Sequence, residues 1–477
     1  RSSRIQSLVV STAPHLLPSF PDVDSLFALQ QEMRARVGAT TAAQRIAKLR
    51  RLERAVMAHR DDIRAAMWAD YRKPAAEVDL SEIYPVVSEA KHAIRRLRRW
   101  MKPRGARTRL ALAGSRSRVM YEPKGVALII SPWNFPFNLT LGPLVSSIAA
   151  GNCTIIKPSE MTPHSSECMK RILAEVFEES EVAVVEGDAS VAEALLKKPF
   201  DHIFFTGSPA VGKVVMRAAA ENLTSVTLEL GGKSPAIVDK TAVLDEAAKK
   251  IAWGKFFNCG QVCIAPDYVL VDESVREPFL AKLRAHIDAF GDASRGVIVN
   301  ERHAARVKRL FDSAVAQGAK VLTGGVFRDR EIAPTVLTDV PPDAAVMQEE
   351  IFGPILPVLT YRTLDDAFAI IASREKPLVL YVFSRARNVV RRILGNTRAG
   401  GTAVNHTLIH FFQLSLPFGG VGHSGIGRSH GFAGFQAFSN ERGILDQTLR
   451  FSAIELLMPP YKGRLKEWLI DFTVKWL

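Results

Sequence analysis

The N-terminal part of the chain alternates apolar and polar positions with the period of a helix. Between about Leu26 and Met101 this pattern predicts a series of helices, with breaks near Gly38 and Pro74. One apolar stripe near the end of the segment consists of Ala90, Ile94, Leu97 and Met101. The arginines around this stripe lie on the opposite face, which is typical of a solvated helix surface.

Beyond Met101 short apolar runs replace the helical pattern. They are bounded by Gly, Pro or Asp, and segments of helical length separate most of them. The runs read GVALIIS, CTIIK, HIFFTG, VTLEL, PAIVD and DYVLVD. Strands of a parallel sheet that is buried on both faces have this composition. Because a second series continues to about residue 410, the pattern predicts an α/β fold with a doubly wound sheet and a second α/β domain.

Polar motifs follow directly on several predicted strands. SPWNFP follows VALII, KPSE follows TII, and TGSPAVG follows HIFF. Ligands of doubly wound sheets bind beyond the carboxyl ends of the strands, so we expect these motifs to share one rim. Gly207 and Gly212 lie at a strand-to-helix turn suited to a phosphate, and Lys157 and Glu160 suit ribose or phosphate oxygens. A tight turn and a solvated loop without ligands are the alternatives.

Two further segments carry candidate chemistry. Glu229 interrupts the apolar run VTLEL, which predicts a buried carboxylate with a raised pKa, suited to general base catalysis. A structural Glu paired with a basic residue is the alternative. Cys259 and Cys263 lie close together in FFNCGQVCIAPDY, but a second cysteine pair for a metal site is missing and the spacing is not that of a redox CxxC. A nucleophile or two buried thiols remain possible, and we expect no metal.

Composition narrows the class of protein. The 477 residues, with 47% hydrophobic and 23% charged residues, are typical of a globular enzyme with more than one domain. The chain has only 4 cysteines, too few for a disulfide framework in a protein of this length. This low content favours a cytoplasmic location. The formal charge of +14 suits nucleic acid, an acidic membrane or an anionic small molecule. Because the arginine-rich stretch lacks a recognised nucleic-acid module or interleaved aromatics, we expect no nucleic-acid partner.

Taken together, the motifs closely resemble the NAD(P)-dependent aldehyde dehydrogenase superfamily from about residue 25 to 450, in that family's order. They are SPWNFPFN, GNCTIIKPSE, FFTGSPAVGK, LELGGKSP, FNCGQVC, EEIFGPILPV and LPFGGVGHSGIGRSHG. The segments TLELGGKSP and GQVCIAPDYVLV are most similar to those of the class 3 branch and its bacterial coniferyl-aldehyde dehydrogenase relatives.

The resemblance implies the aldehyde dehydrogenase fold, with a Rossmann-like cofactor domain, an α/β catalytic domain and a small β oligomerisation element. The implied bounds are 1–106 and 122–230 for the cofactor domain, 231–411 for the catalytic domain, 107–121 and 412–450 for the oligomerisation or bridging element, and 451–477 for an amphipathic tail. It also implies a homodimer.

The resemblance assigns three catalytic roles. Cys263 is the nucleophile, Glu229 is the general base, and Asn134 donates its side-chain amide to the oxyanion beside the backbone N–H of Cys263. The implied reaction oxidises an aldehyde to a carboxylic acid through a thiohemiacetal and a thioester on Cys263. A coenzyme A-acylating enzyme is disfavoured by Glu229, and a catalytically silent member is disfavoured because all three residues are present. The role of Cys259 stays open.

The resemblance also implies cofactor and substrate contacts. Expected at the cofactor are Lys157, Glu160, Gly207, Ser208, Gly212, Glu350 and Phe352. NAD is expected because Glu160 would bind a ribose diol and repel a 2′-phosphate; NADP is the alternative. Expected at the substrate are Trp133, Phe411, Phe412 and Phe418. These aromatics favour an apolar aldehyde, aromatic or medium- to long-chain aliphatic, and positions in the core or an interface are the alternative.

The C-terminal segment GRLKEWLIDFTVKWL has the pattern of an amphipathic helix. Its apolar face consists of Leu465, Trp468, Leu469, Phe472 and Trp476. It is too short and too charged to span a bilayer. Peripheral membrane association is one interpretation, and packing against the protein's own body or a second subunit is the favoured one.

Overall fold

The structure is a computed structural model, and it describes residues 22–291 and 296–476. The helices are α1 (Val23–Gly38), α2 (Ala42–Ala58), α3 (Arg60–Tyr71), α4 (Ala75–Val78), α5 (Tyr84–Trp100), α6 (Asn138–Ala150), α7 (Pro163–Ala174), α8 (Ala189–Leu196), α9 (Pro209–Glu221), α10 (Leu244–Phe256), α11 (Arg276–Asp288), α12 (Glu301–Ala316), α13 (Ala345–Gln348), α14 (Leu364–Ala372), α15 (Arg387–Asn396), α16 (Gly431–Ala437) and α17 (Arg464–Trp476). The strands are β1 (Arg104–Ala106), β2 (Ser115–Pro123), β3 (Val126–Ile130), β4 (Cys153–Lys157), β5 (Val182–Val184), β6 (His202–Gly207), β7 (Ser225–Leu230), β8 (Pro235–Val238), β9 (Tyr268–Asp272), β10 (Lys320–Thr323), β11 (Phe327–Arg328), β12 (Glu331–Ile332), β13 (Thr335–Thr338), β14 (Ile355–Tyr361), β15 (Val379–Phe383), β16 (Gly401–Val404), β17 (Gly425–Ile426) and β18 (Ser439–Gln447).

The predicted helical region forms α1 to α5. The breaks expected near Gly38 and Pro74 are confirmed, since α1 ends at Gly38 and Pro74 precedes α4. A further break at His59 was not predicted. There α2 ends and α3 begins within one continuous apolar pattern.

A six-stranded sheet has the order β17-β7-β6-β3-β4-β5. Strands β3 to β7 pair in parallel, and β17 pairs antiparallel with β7. Alternate residues of β3 enter two different cores: Ala127 and Ile129 pack with α2, α5, α6 and α7, whereas Val126 and Leu128 pack with α1, α8 and α9. Burial on both faces explains the continuous apolar runs of the sequence.

A seven-stranded sheet has the order β10-β13-β14-β9-β8-β15-β16, and it is parallel except for β10. A separate antiparallel sheet has the order β1-β2-β18. The α/β fold with a doubly wound sheet and a second α/β unit is therefore confirmed. Segment 412–450 contributes both β18 of the small sheet and β17 of the six-stranded sheet, and the predicted domain boundaries stay predictions.

The predicted C-terminal helix is present as α17, preceded by the 3-10 turn Ala453–Leu457. Several of its apolar side chains are exposed, including Leu465 at 71% and Trp468 at 59%. In the described ranges, none of the helices combines the length and the apolar character needed to cross a membrane.

Candidate active site

Cys263 follows a tight turn between α10 and β9. In this turn Asn258, Cys259 and Gly260 all adopt left-handed backbone conformations, with φ of 50°, 53° and 71°. Left-handed conformations cost about 1 to 2 kcal/mol for each non-glycine residue, so the surrounding structure must hold the turn in place. The Gln261 side chain contributes by donating to the carbonyl of Asn258 at 3.1 Å and accepting from the N–H of Val299 at 2.9 Å.

The electrostatic environment of Cys263 favours the thiol over the thiolate. Burial raises the pKa of Cys263 well above its usual range, and the nearby carboxylates of Glu350 and Glu229 raise it further. The backbone N–H groups of Cys263 and Ile264 act in the opposite direction. The side chain therefore needs a base or an added positive charge before it can act as a nucleophile.

Hydrogen bonds to the side-chain amide and to the backbone carbonyl of Asn134 hold this residue beside the turn. Its side-chain Nδ2 donates to the carbonyl of Gln261 at 3.0 Å. Its own carbonyl accepts from the Tyr71 hydroxyl at 2.7 Å and from Asn258 Nδ2 at 3.0 Å. Since an amide nitrogen carries two protons, one N–H of this buried side chain remains for a ligand.

Glu229 lies in β7 opposite Gly425 of β17, and its side chain is buried. The Ser429 hydroxyl donates to Glu229 Oε1 at 2.9 Å, while Oε2 has no hydrogen-bond partner among the described residues. Burial raises the pKa of Glu229 to about 8, although Ser429 and Arg428 oppose the rise. A carboxyl with this pKa exchanges protons near neutral pH, as a general base must.

Glu229, Cys263 and Asn134 meet in one cleft with a cavity volume of about 520 Å³. Pockets for small organic ligands have volumes of about 300 to 1,000 Å³. The other predicted residues that line this cleft are Trp133, Gly207, Ser208, Glu350 and Phe352. The cleft therefore joins the predicted catalytic residues to most of the predicted cofactor residues.

The N-terminus of α9 opens into this cleft. Ser208 caps the helix by accepting from the N–H of Val211, and Pro209 occupies the start of the helix. A Cβ at Gly212 would lie 2.7 Å from Leu230 Cδ2, so this glycine lets α9 approach β7 closely. Gly212 thus positions the helix and does not itself line the cleft. A helix N-terminus favours a phosphate group.

Glu350 and Phe352 also line the cleft. The Glu350 carboxylate lies against Gly231, where a Cβ would be only 2.0 Å from Oε2, and it accepts the N–H of Gly232. Burial raises the pKa of Glu350 to about 8. A buried carboxyl group and a helix N-terminus that line one cleft match the diol and phosphate groups of a dinucleotide, so the residues present fit NAD or NADP.

Lys157 and Glu160 lie further along the same rim. Lys157 ends β4, in register with Ile130 of the adjacent β3. Its Nζ donates to Glu160 Oε2 at 3.0 Å, with Lys157 buried and Glu160 exposed. Neither residue is among those that line the cleft around Cys263, and both lie where the carboxyl ends of the strands continue it.

A second, narrow cavity of about 40 Å³ reaches Cys263 from another side. It is lined almost entirely by apolar side chains: Phe135, Leu139, Phe257, Val262, Ile264, Leu408, Phe411 and Phe412, with Ser81 and Asn138 as polar exceptions. We refer to these residues as the apolar channel. Phe411 and Phe412, two of the aromatics expected at the substrate, line this cavity, with ring centroids 5.7 Å apart.

The other two predicted substrate residues lie elsewhere. Phe418 lines a third cavity, next to Glu229. Trp133 lies in the cofactor cleft, where its ring is edge-on to Phe352 with 5.3 Å between centroids. Phe411 lines this third cavity as well as the apolar channel, so it borders both.

Several residues of the site escaped sequence analysis. They are Tyr71, Phe135, Phe257, Gln261, His303 and Ser429. Phe135 and Ser429 belong to quoted motifs, PWNFP and GIGRSHG, so motif membership was an available signal. Tyr71 and His303 lie in helical segments that carry no motif, and only the fold brings them here.

Comparisons with known proteins agree with this geometry. The sequence profile described as "Aldehyde dehydrogenase family" matches residues 17–444. A probable coniferyl aldehyde dehydrogenase of Pseudomonas aeruginosa is 41% identical over 95% of this chain and 96% of its own length. The dimeric NADP-preferring aldehyde dehydrogenase of Mus musculus is 42% identical over 85% of this chain and 90% of its own.

Among solved structures, the substrate-bound state of Staphylococcus aureus AldH superposes with a TM-score of 0.90 and 40% identity, over 94% of this chain and 99% of that one. The resemblance inferred from the motifs is thus confirmed, including its similarity to class 3 and coniferyl-aldehyde enzymes. The chain belongs to the aldehyde dehydrogenase family and is an NAD(P)-dependent oxidoreductase that acts on aldehydes.

Proposed function

We propose that this enzyme oxidises apolar aldehydes, either aromatic or medium- to long-chain aliphatic, to free carboxylic acids. The observation that carries the proposal is the position of Cys263, which lines both the cofactor cleft and the apolar channel. A thiol in this position can face an apolar substrate on one side and a cofactor on the other. The channel's phenylalanine and leucine side chains would exclude water and bind hydrocarbon.

In the proposed acylation step Cys263 attacks the aldehyde carbon to give a thiohemiacetal. The thiol proton must leave to solvent first, and the backbone N–H groups of Cys263 and Ile264 together with the positive charge of a bound cofactor would favour the thiolate. The free N–H of Asn134 and the backbone N–H of Cys263 would stabilise the developing alkoxide by about 3 to 4 kcal/mol each, judged by oxyanion holes in general. A nicotinamide cofactor held in the cleft by Ser208, Glu350 and Phe352 would supply the hydride acceptor that oxidation of this adduct to the Cys263 thioester requires.

In the proposed deacylation step Glu229 removes a proton from water, and the water oxygen bonds to the acyl carbon. The C–S bond then breaks, so that the acyl group leaves as the carboxylic acid and Cys263 leaves as the thiolate. The Oε2 atom without a protein partner is the position available to that water. Hydrolysis needs a base that activates water, whereas transfer of the acyl group to coenzyme A does not. A carboxylate at this position therefore supports hydrolysis.

We infer a preference for NAD, although relatives differ in the cofactor they use. The exposed carboxylate of Glu160 beside Lys157 would accept hydrogen bonds from a ribose diol and repel a 2′-phosphate. The mouse relative is described as NADP-preferring, so both cofactors belong in any assay. The cofactor would lie on the six-stranded sheet.

We also infer a homodimer. The mouse relative is described as dimeric. Exposed apolar side chains follow the small sheet into the tail, including Leu445, Leu449 and Phe451, each more than half exposed. A second copy of the chain would cover such a surface.

Steady-state and rapid-mixing kinetics test the proposed function. We expect NADH formation with benzaldehyde, cinnamyl-type and long-chain aldehydes, with NAD favoured over NADP. Cys263→Ala should abolish it. Glu229→Gln should retain a burst of NADH when enzyme is mixed with substrate but lose at least about 100-fold in steady turnover, because the thioester accumulates. Full steady-state activity of Glu229→Gln would contradict the role of the base, and transfer of the acyl group to added coenzyme A would favour the alternative.

A further inference from the structure

The segment 134–138 serves two parts of the active site at once. Asn134 lines the cofactor cleft, whereas its neighbour Phe135 lines the apolar channel. The last residue of the segment, Asn138, begins α6. A displacement of this backbone would therefore move the proposed oxyanion donor and the channel wall together.

The end of the segment is held by a carboxylate from an earlier part of the chain. The first N–H groups of a helix need acceptors from outside the helix, and the phenyl ring of Phe137, which precedes α6, cannot supply one. Glu82 Oε2 accepts the N–H groups of Phe137 and Asn138 at 3.1 and 3.0 Å. Glu82 is fully buried and lies in the π-helical turn Asp79–Ile83, a kind of turn that is frequent at functional sites.

Lys73 joins this carboxylate to the middle of the segment. Its buried Nζ donates to Glu82 Oε1 at 2.7 Å and lies 4.1 Å from the centroid of the Phe135 ring. A cation over an aromatic ring is attracted to it, and the attraction is stronger where water is excluded. One ammonium group thus contacts both the ring that follows Asn134 and the carboxylate that binds the end of the segment.

The start of the segment is held from the same short stretch of chain. The Tyr71 hydroxyl donates to the carbonyl of Asn134 at 2.7 Å. Tyr71 ends α3, and Arg72, with a φ of 54°, forms the left-handed turn between Tyr71 and Lys73. Residues 71–73 and Glu82 therefore contact the segment at its start, its middle and its end.

The ion pair of Lys73 and Glu82 is better suited to fixing a geometry than to stabilising the fold. Moving two charges from water into a protein interior costs free energy that their attraction repays only in part, and apolar residues of similar volume often stabilise a fold as well or better. The ammonium group and two backbone N–H groups all bind the same carboxylate. These three contacts hold together only when the segment has one position.

We propose that the ion pair of Lys73 and Glu82 positions the segment 134–138 so that the Asn134 amide reaches the aldehyde oxygen during acylation; this rests on the proposed role of Asn134 as oxyanion donor. Neither Lys73 nor Glu82 is among the residues that line the cofactor cleft or the apolar channel. Both act through the segment, so they are positioning residues.

Replacement of the pair by apolar residues tests the proposal. Lys73→Met with Glu82→Leu removes both charges, so neither is left buried without its partner, and it removes the acceptor of the α6 N–H groups. We expect the rate constant of NADH formation in a single turnover to fall about tenfold, because complete loss of an oxyanion donor costs about 100- to 1,000-fold and misplacement costs part of it. Enzyme is used at saturating concentration in excess over aldehyde, so the rate constant does not depend on the folded fraction.

A second pair of substitutions retains an acceptor for the helix. In Lys73→Met with Glu82→Gln, the glutamine oxygen can still accept the N–H groups of Phe137 and Asn138, so part of the lost rate should return. This variant takes the place of the apolar pair if the apolar pair does not fold.

A double-mutant cycle separates positioning from a general effect on the structure. If the ion pair acts through Asn134, its replacement should cause no further loss in an Asn134→Ala background, where the amide is already absent. A further tenfold loss there, or a wild-type rate constant with Asn134 intact, would overturn the proposal. A wild-type rate constant of Asn134→Ala alone would contradict the oxyanion role itself, so the two failures give different results.

The matched control is Arg45→Met, at the other end of α6. Arg45 is also a buried cation, and its guanidinium donates to the carbonyls of Ala149 and Ala150 at 3.0 and 2.6 Å. That end lies roughly 18 Å along the helix from Asn138, so Arg45→Met should lower the denaturation midpoint and leave the single-turnover rate constant unchanged. An equal fall in rate would show that any loosening of α6 slows the reaction, and it would overturn the specific role of the ion pair.

Discussion

At the scale of single residues, the two oxygens of Glu229 have different surroundings. Oε1 accepts a hydrogen bond from Ser429, and Oε2 has no partner among the described residues. The hydrogen bond to Oε1 stabilises the negative charge of the buried carboxylate. Oε2 is left to accept a hydrogen bond from water. Burial raises the pKa of Glu229, and the hydroxyl of a residue 200 positions further along the chain opposes that rise.

We predict that Ser429→Ala weakens activity at neutral pH and restores it at alkaline pH. The Ser429 hydrogen bond lowers the pKa of Glu229, so its loss raises that pKa above about 8. A hydrogen bond to a charged group contributes about 1.5 to 3 kcal/mol, which corresponds to roughly one to two pH units. Only the deprotonated carboxylate acts as a base, so the midpoint of kcat against pH should move upward by that amount.

A pH profile of steady-state turnover measures this shift. Ser146→Ala is the matched control, because Ser146 lines the third cavity, next to Glu229, without a hydrogen bond to it. An unchanged midpoint in Ser429→Ala would show that the hydroxyl does not tune the base.

At the scale of elements, the turn that leads to Cys263 packs directly on the turn that follows Glu350. A Cβ at Gly260 would lie 2.3 Å from the carbonyl oxygen of Gly353. The Asp267 carboxylate holds the second turn by accepting the N–H of Ile351 at 3.1 Å. The turn before Cys263 and the segment that carries Glu350 and Phe352 are thus in direct contact.

We predict that Gly260→Ala impairs both stability and activity. The left-handed backbone alone costs about 1 to 2 kcal/mol with a side chain present, and the clash with Gly353 would add to it by separating the two turns. Denaturant unfolding and KM for NAD measure the two effects. Gly318→Ala is the control, since Gly318 also has a positive φ, of 102°, but nothing within 4 Å of its Cβ position. Equal losses in both variants, with an unchanged KM, would show that contact between the turns is unimportant.

At the scale of the whole molecule, a buried charged network joins the helical N-terminal region to the site. Lys73 Nζ donates to Glu82 Oε1 at 2.7 Å, and Glu82 Oε2 accepts the N–H groups of Phe137 and Asn138 after the Asn134 segment. Glu77 accepts the N–H of Asn258 at 3.2 Å. Helices near the start of the chain thereby hold both the segment of Asn134 and the turn that precedes Cys263.

We predict that this network makes stability fall as pH rises from about 4.5 to 7. Burial raises the pKa of Glu77 from 4.5 to about 7, so the folded state binds more protons than the unfolded state across that window. Ionisation of Glu77 therefore favours unfolding, and Glu77→Gln should reduce the decline in Tm between these pH values. Replacement of the exposed Glu167 by Gln should leave the slope unchanged. A wild-type slope in Glu77→Gln would contradict the prediction.

Local sequence predicted those features that depend on local physics. Strands β3, β4 and β6 to β9 were recognisable because both of their faces are buried, and Glu229 stood out as a lone carboxylate in such a run. Features set by distant contacts were not predictable. The strand β17 has only two residues, too few for a recognisable pattern. The sequence around Trp133 does not indicate which cavity this side chain lines. The contact between Glu89 and His430 joins residues 341 positions apart.

The pairing of β17 with β7 has a consequence for biosynthesis. Glu229 leaves the ribosome 200 residues before Ser429, and at about 5 to 20 residues per second that interval lasts roughly 10 to 40 s. During that time the strand that carries the base lacks its edge partner Gly425 and its hydroxyl donor. A nascent or prematurely terminated chain that has not reached this segment cannot have the finished active site, so aldehyde oxidation begins only after most of the protein has been made.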